Sequence, residues 1–244
     1  MAFVTVWGAA LAAAAAASAA HQELGELQVV QPCCNGAAQQ GSRSHILFPN
    51  SPQVGNMRHV LSHVAAQDDE LQTNEIGMTI DDNLVVDGDP NCYTPYNVVV
   101  SFYEGWDYAA GGGTHCKPLG QTSVGHLYST AQQANNLFQF FIDGNPQLSS
   151  PLVQMGGTHA PNADQVVAGG EVVMADSVCC PEPVNWQASF GGNGNTPWQR
   201  FNKTLGWVTI QSNNRVCNGP PNTCTGGGWS FSANSFPTTW SVIH

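Results

Sequence analysis

The histidine at position 21 is the first residue whose position indicates a particular chemistry. Residues 1–20 carry no charged side chain and end in Ser18-Ala19-Ala20, the small residues that a signal peptidase selects before its cut. Cleavage at that point makes His21 the first residue of the mature chain. The α-amine and one imidazole nitrogen of an N-terminal histidine can bind the same ion, and flat nitrogen coordination suits Cu(II). We therefore expect His21 to bind copper.

Two later segments, His115-Cys116-Lys117-Pro118 and Phe138-Gln139-Phe140-Phe141, add to this expectation. Together with His21 they resemble short motifs of the fungal lytic polysaccharide monooxygenases, whose mature chains begin with a copper-binding histidine. The resemblance implies a second copper ligand at His115. It also implies that Gln139 orients the oxygen species, that Phe141 covers the axial side of the metal, and that His126 positions oxygen. Phe141 stands where that family has a tyrosine, so a copper-capture protein without oxygenase activity is an alternative.

A histidine pair offers a different metal chemistry. His59 and His63 are four residues apart within 57–71, the one segment whose apolar spacing predicts a helix. In a helix this spacing places both imidazoles on one face, where they can contribute two zinc ligands. Gln67, the next residue on that face, is a poor third ligand, so any third ligand must come from elsewhere in the fold. A solvated helix face is the alternative, because three acidic residues follow at 68–70.

Acidic residues in and around the strand-like runs are candidates for glycosidase chemistry, which needs two carboxyl groups at a defined separation across a sugar. They are Glu104, Asp107, Asp164, Glu171 and Asp176. Sequence spacing does not fix that separation, and ordinary surface positions are the alternative for all of them.

Five tryptophans lie in the last third of the chain, and flat aromatic rings can stack on sugar faces. Trp186 and Trp198 stand among turn residues, so we expect them to be exposed and to hold a polysaccharide. Trp207, Trp229 and Trp240 stand in alternating runs and are assigned to the core.

The cysteines indicate an exported chain, because all eight follow residue 20. An even number of cysteines in a secreted protein predicts a disulfide framework, whose pairing the sequence does not fix. Asn202-Lys203-Thr204 is a glycosylation sequon, which also fits export. We expect a signal peptide over residues 1–20 and a single secreted domain over residues 21–244.

The charge balance excludes several partners. Seventeen acidic residues and six basic residues give a formal net charge of −11. Without a basic patch, neither a phosphate backbone nor an anionic membrane surface attracts the protein. Many small hydroxyl and amide side chains favour a neutral, hydroxyl-rich partner such as polysaccharide or cell-wall glycan. We expect a monomer that binds neither nucleic acid nor membranes.

Short apolar or alternating runs between Gly, Pro and Asn clusters predict β-strands. The runs are residues 27–31, 45–48, 76–80, 96–103, 137–142, 152–155, 171–175, 205–211, 228–232 and 239–243. This pattern predicts an all-β fold: a single immunoglobulin-like β-sandwich, stabilised by disulfides, with long loops and at most one short helix.

These observations favour a secreted copper-binding protein that acts on or at polysaccharide. If the resemblance to the monooxygenases extends to activity, the reaction is oxidative cleavage of glycosidic bonds. The alternative is a non-catalytic carbohydrate-binding or cell-wall protein whose binding surface contains Trp186 and Trp198. The sequence leaves open whether the protein is an enzyme.

Overall fold

The structure is a computed structural model, and it describes twelve segments of the chain. They are residues 21–30, 39–49, 57–68, 73–81, 98–107, 114–134, 136–153, 162–174, 186–192, 194–211, 214–218 and 230–243. Within them the chain forms β-strands and no helix, which confirms the all-β prediction. The strands are β1 (His21–Val30), β2 (Gly41–Leu47), β3 (Met57–Gln67), β4 (Thr73–Asp81), β5 (Val100–Trp106), β6 (Thr114–Gln121), β7 (His126–Ala134), β8 (Leu137–Ile142), β9 (Asn145–Pro146), β10 (Leu152–Val153), β11 (Gln165–Met174), β12 (Gln187–Gly191), β13 (Gln199–Asn202), β14 (Gly206–Thr209), β15 (Asn214–Asn218), β16 (Ser230–Ser235) and β17 (Thr239–Ile243). None of the described residues belongs to a helix long and apolar enough to cross a membrane.

The strands form two antiparallel sheets that pack face to face. The first sheet has seven strands in the order β15-β1-β11-β3-β4-β5-β6. The second has ten strands and follows the path β10-β8-β7-β2-β12-β17-β16, with β9, β13 and β14 paired off this path. The predicted sandwich is therefore confirmed in its coarse form. The immunoglobulin-like arrangement is not supported, since such a domain has about seven to nine strands in total.

The core lies between the two sheets and is rich in aromatic side chains. Tyr103 of the first sheet stacks on Phe140 of the second, with ring centroids 4.8 Å apart. Phe190 and Trp240 stack at 4.1 Å within the second sheet. Because side chains alternate along a strand, the residues between these core positions face outward. The outer face of the first sheet contains the site described below.

The helix predicted over residues 57–71 is wrong, because the chain forms strand β3 there. This strand is the central one of the seven-stranded sheet. Val60 and Val64 enter the core, yet Leu61 and Ala65 on the opposite face are also buried. Burial of both faces removes the apolar–polar alternation that marks a strand and leaves a spacing that imitates a helix.

Of the eight cysteines in the predicted disulfide framework, the structure describes the side chain of Cys116. Cys116 is disulfide-bonded. Six of the other cysteines lie outside the described residues, and Cys217 is described only in its backbone. The wider framework stays a prediction, and so do the signal peptide and the domain boundary at residue 21.

Candidate functional site

His63 is the centre of a buried polar cluster on the outer face of the seven-stranded sheet. Its neighbour Val64 belongs to the core between the sheets, so the His63 side chain points to the opposite face. Only 1% of His63 is exposed. A buried ionisable group in a central strand needs polar partners, because isolated burial of a charge is very unfavourable.

Glu26 is one of these partners, although a whole strand lies between it and His63. The register aligns Glu26 of β1 with Gly169 of β11, and Gly169 with His63 of β3. A Cβ atom on Gly169 would lie 2.7 Å from Cγ of Glu26 and 2.4 Å from the carbonyl oxygen of Gly25. The missing side chain at Gly169 therefore lets Glu26 extend across β11. Its Oε1 atom lies 3.0 Å from Nε2 of His63.

A second glycine lies on the other side of His63. Gly77 of β4 is its direct partner in the register. A Cβ atom on Gly77 would lie only 1.8 Å from the carbonyl oxygen of Ser62, so no larger residue fits there. The imidazole therefore has a glycine beside it on each neighbouring strand, and the nearby acidic side chains come from diagonal positions.

Glu75 and Glu171 occupy these diagonal positions. Glu75 lies two residues before Gly77 on β4, and Glu171 lies two residues after Gly169 on β11. One carboxylate oxygen of each and one ring nitrogen of His63 all lie within 4.8 Å of one another. Glu75 and Glu171 are 6% and 8% exposed. They contact solvent more than His63 does.

Electrostatics within the cluster favour the charged form of the imidazole. Burial alone lowers the pKa of His63, but the carboxylates of Glu75, Glu26 and Glu171 together raise it to about 9. The Nδ1 atom has no hydrogen-bond partner among the described residues. A further acidic residue, Glu104 of β5, is the direct cross-strand partner of Glu75. The site thus combines a buried imidazole with carboxyl groups from four strands.

The two histidines expected to bind copper together lie far apart. His21 begins β1 and His115 lies on β6, and five strand spacings separate these strands. At about 4.8 Å per spacing this amounts to about 24 Å. Through the register of the intervening strands, His115 is level with Val29, eight residues along β1 from His21 (29 − 21). The fold does not bring these two residues to one metal.

Gln139 and Phe141 belong to the other sheet, on β8. The Gln139 side chain is 5% exposed and hydrogen-bonds the backbone of Leu148, donating to its carbonyl oxygen at 3.0 Å and accepting from its N–H at 3.2 Å. Phe141 is half-buried on the same outer face of β8. Gln139 therefore fixes the chain beyond β8, and neither residue lies in the sheet that contains His21 and His115.

His126 forms a separate cluster at the start of β7. Its Nδ1 atom lies 2.6 Å from Oδ2 of Asp143, and its Nε2 atom lies 3.0 Å from Oγ1 of Thr122. The order Thr–His–Asp resembles that of a hydrolase triad. However, the Thr122 hydroxyl donates its proton to the carbonyl oxygen of Val124 at 2.9 Å, so His126 does not activate it. This cluster closes a turn, and it contains none of the other predicted copper-site residues.

The prediction that Trp186 and Trp198 are exposed is wrong, because both are fully buried. Nε1 of Trp186 donates to Oγ of Ser62 at 2.8 Å, and Nε1 of Trp198 donates to Oγ of Ser42 at 3.0 Å. Their rings lie in the core and are not available to stack on a sugar.

The other aromatic predictions have mixed outcomes. Trp240 is in the core as predicted, whereas Trp207 is only half-buried, with the guanidinium of Arg43 4.3 Å above its ring. Trp229 lies outside the described residues. The sequon residue Asn202 accepts hydrogen bonds from the N–H groups of Thr204 and Leu205 through Oδ1. Its glycosylation stays a prediction.

Of the acidic residues singled out in the sequence, Glu171 lies beside His63, and Glu104 lies directly across from Glu75 in the register. Asp164 lies before β11, Asp107 follows β5, and Asp176 is outside the described residues. His59 lies four residues before His63 on β3, which separates their backbone positions by about 13 Å along the strand. Sequence reasoning missed Glu26 and Glu75. The available signal was Gly inside strand patterns, at Gly77 and Gly169, which often marks close approach of another group.

Comparisons with solved structures identify the fold. Scytalido-glutamic peptidase with a transition-state analogue inhibitor matches with a TM-score of 0.53 and 9% identity, covering 92% of this chain and 99% of that chain. The same peptidase with a peptide-based transition-state analogue matches with a TM-score of 0.52 and 11% identity, over the same shares of the two chains. β-Agarase A in complex with oligoagarose reaches only 0.30, at 10% identity over 63% of this chain and 60% of that chain. No family model matches the sequence, and no curated protein sequence matches it.

These findings correct the resemblance drawn from the sequence. The chain has the fold of a glutamic peptidase, and the resemblance to copper-dependent polysaccharide monooxygenases is wrong. The motifs behind that resemblance were short, and the fold places their residues in separate parts of the molecule. The prediction that the chain cleaves polysaccharide oxidatively with copper is therefore also wrong.

Proposed function

We propose that this chain is a peptidase whose hydrolytic groups are the carboxyls of Glu75 and Glu171, supported by His63. The observation that carries the proposal is the buried cluster on the central strands of the seven-stranded sheet, where these three side chains converge within 4.8 Å. Polar groups are rarely buried together without a function or a strong structural requirement.

Peptide hydrolysis needs a base for the attacking water and an acid for the departing amine. We assign the base to Glu171, which takes a proton from water as the water oxygen bonds to the peptide carbonyl carbon. We assign the acid to Glu75, because it faces Glu104 directly and like charges there favour a proton on that pair. Glu75 gives this proton to the amide nitrogen as the carbon–nitrogen bond breaks.

His63 supplies the positive charge that lets several carboxyl groups share a buried site. Its Nε2 atom is paired with Glu26, which lies on the far side of β11 from it. Because His63 is enclosed, we assign it a positioning role: it holds Glu75 and Glu171 near each other and does not itself touch the substrate.

The fold supports this proposal independently of the cluster. Two solved structures that match with TM-scores above 0.5 are those of a glutamic peptidase bound to transition-state analogues, and both acidic residues assigned here are glutamates. We also propose that the peptidase is secreted, on the grounds of the apolar segment 1–20 and the eight cysteines. The substrate class proposed is therefore polypeptide outside the cell.

The test is cleavage of an unfolded protein and a mixed-sequence peptide library by the purified chain, followed by mass spectrometry from strongly acidic to neutral pH. We expect a bell-shaped profile in the acidic range, because one carboxyl must be ionised while the other keeps a proton. Glu171→Gln and Glu75→Gln keep the shape of each side chain and remove its acid–base function. Each should lower kcat/KM by about 100-fold or more.

Asp143→Asn is the matched control, because Asp143 is an acidic residue paired with a histidine in the other sheet. This variant should keep the kcat/KM of the unsubstituted chain. Full activity in both glutamine variants would show that another site performs the reaction. Failure of the folded protein to cleave any peptide would contradict the proposal altogether.

A further inference from the structure

We propose that His63, Glu75 and Glu171 bind one divalent transition-metal ion of the zinc type, with Nδ1 of His63 as the nitrogen ligand. The inference rests on the same residues as the proposed peptidase site, although metal binding itself does not require peptidase activity. It replaces the zinc site considered for His59 and His63 with a site whose ligands come from three neighbouring strands.

The donor set is the first argument. Zinc binds both imidazole nitrogen and carboxylate oxygen, and a zinc site with three protein ligands leaves the fourth position for water or substrate. Magnesium and calcium prefer oxygen ligands throughout, so the nitrogen of His63 favours a transition metal. Two carboxylates also balance the two positive charges of the ion.

The geometry is the second argument. One ring nitrogen of His63 and one carboxylate oxygen each of Glu75 and Glu171 lie within 4.8 Å of one another, whereas ligands around a tetrahedral zinc ion are about 3.4 Å apart, given bonds of about 2.0–2.2 Å. The donors must therefore close by about 1.4 Å at most. Glutamate side chains make such adjustments by rotation about their side-chain bonds.

The contact between His63 and Glu26 is the third argument, and it does not involve Glu75 or Glu171. Nε2 lies 3.0 Å from Oε1 of Glu26, although among the described residues neither ring nitrogen has a partner in full hydrogen-bond geometry. Histidine ligands of metals commonly pair their second nitrogen with a carboxylate, which fixes the tautomer and orients the ring. Glu26 occupies this position, so Nε2–H faces Glu26, and the ion replaces the proton that the charged imidazole carries on Nδ1, which is released on binding.

Metal binding has a direct consequence for the proposed hydrolysis. The ion uses the carboxylate oxygens of both Glu75 and Glu171, which are then not free to move protons. Zinc is therefore expected to inhibit peptide cleavage, and a chelator is expected to restore it.

The test is titration of the full chain with Zn²⁺ by calorimetry, and with Co²⁺ by visible absorption, which reports the ligand geometry. We expect one saturable site. Glu75→Gln and Glu171→Gln should abolish saturation at the metal concentration that saturates the unsubstituted chain. Glu26→Gln should weaken binding by about 10–100-fold, because it removes the partner that orients His63.

Two histidine variants are the controls. His126→Ala removes a histidine that also has a carboxylate partner, and His21→Ala removes the histidine first expected to bind metal. Both should retain the zinc site. Circular dichroism verifies that each variant is folded.

The possible outcomes separate this inference from the proposed function. One zinc site lost in both glutamine variants supports the inference, even when the chain cleaves no peptide. Absence of saturable binding to the folded chain overturns it, even when the chain is an active peptidase. Binding that persists in both glutamine variants, or that disappears in either histidine control, also overturns it.

Discussion

Gly169 is the residue whose substitution tests the architecture of the site most directly. It lies between Glu26 and His63 in one row of the sheet, and its lack of a side chain lets Glu26 reach the imidazole. In Gly169→Ala the new Cβ atom would lie 2.4 Å from the carbonyl oxygen of Gly25 and 2.7 Å from Cγ of Glu26. Because the Gly25 oxygen belongs to the backbone, β1 must move away from β11, and the contact with Cγ also displaces the Glu26 side chain.

The loss of stability expected in Gly169→Ala follows from these two contacts. Overpacking by a methyl group in a well-packed region costs about 1–3 kcal/mol. Separating Glu26 from His63 adds to this loss, because breaking a buried ion pair costs about 3–5 kcal/mol. The free energy of unfolding of Gly169→Ala should therefore fall by more than overpacking alone explains.

A double-mutant cycle with Glu26→Ala isolates the part that acts through the side chain of residue 26. That variant removes Cγ of Glu26 but leaves the carbonyl oxygen of Gly25 in place. We expect the double variant to lose less stability than the sum of the single variants, by about 1–3 kcal/mol. Urea unfolding followed by tryptophan fluorescence gives the four free energies.

Gly194→Ala is the matched control, because a Cβ atom there meets nothing within 4 Å. Its φ of +81° costs about 1–2 kcal/mol for an alanine, and this cost should be additive with Glu26→Ala. Strict additivity for Gly169→Ala as well would refute the reasoning, since Glu26 would then not occupy the space above the glycine.

Three further predictions concern single groups. The folded pKa of His63 is about 9, above its ordinary value of 6.5, so its contribution to stability is full below pH 6.5 and is lost as the pH rises through 9. Urea titrations should show a fall of up to about 1.4 kcal/mol per pH unit in that range, and His63→Gln should lack it. Trp186→Phe removes the donor to Ser62 and should lower the free energy of unfolding by about 1–3 kcal/mol, while added glycan should leave the fluorescence of the unsubstituted chain unchanged. The pKa of Asp143 is lowered, since burial, which raises it, is outweighed by hydrogen bonds from Leu127 and His126. The stability it contributes should disappear as the pH falls below 3.8, and thermal melts of Asp143→Asn should show a weaker acid dependence than those of the unsubstituted chain.

The strands that the sequence predicted well have one buried face and one more open face. The runs at 137–142 and 239–243 match β8 and β17 residue for residue. The run 239–243 alternates because each side chain meets one of two different environments, whereas 137–142 is an apolar run interrupted only by Gln139. The same signal failed at β3, whose two faces are both buried.

The candidate site could not be predicted in the same way. Its members come from β1, β3, β4, β5 and β11, and residues 26 and 171 are brought together only by the order and register of the sheet. A local pattern carries no information about which strands are neighbours. The sequence does indicate His63 and Glu171 as candidates, but as part of a helix and of a glycosidase pair.

The incorrect predictions have a common physical cause. The same short motifs also suit positions where the side chains have a purely structural role. A glutamine before an aromatic residue also suits a strand whose amide holds the backbone of the next segment, as Gln139 does with Leu148. Tryptophans among turn residues also suit the core, when a hydroxyl group accepts the indole N–H, as Ser62 does for Trp186.

The position of the cluster explains why it can be functional at all. The core between the sheets supplies the apolar burial that stabilises the fold, so the outer face of the central strands need not contribute to it. An ion pair enclosed there, such as His63 with Glu26, is often less stable than packed apolar side chains of similar volume. Nothing in the sandwich itself requires such residues at these positions.

Two interior glycines with no room for side chains, one on each strand beside His63, are a second departure from strand preferences at the same place. Both departures are explained if the chain needs an imidazole and carboxyl groups within reach of one another, which is what peptide hydrolysis and zinc binding each require.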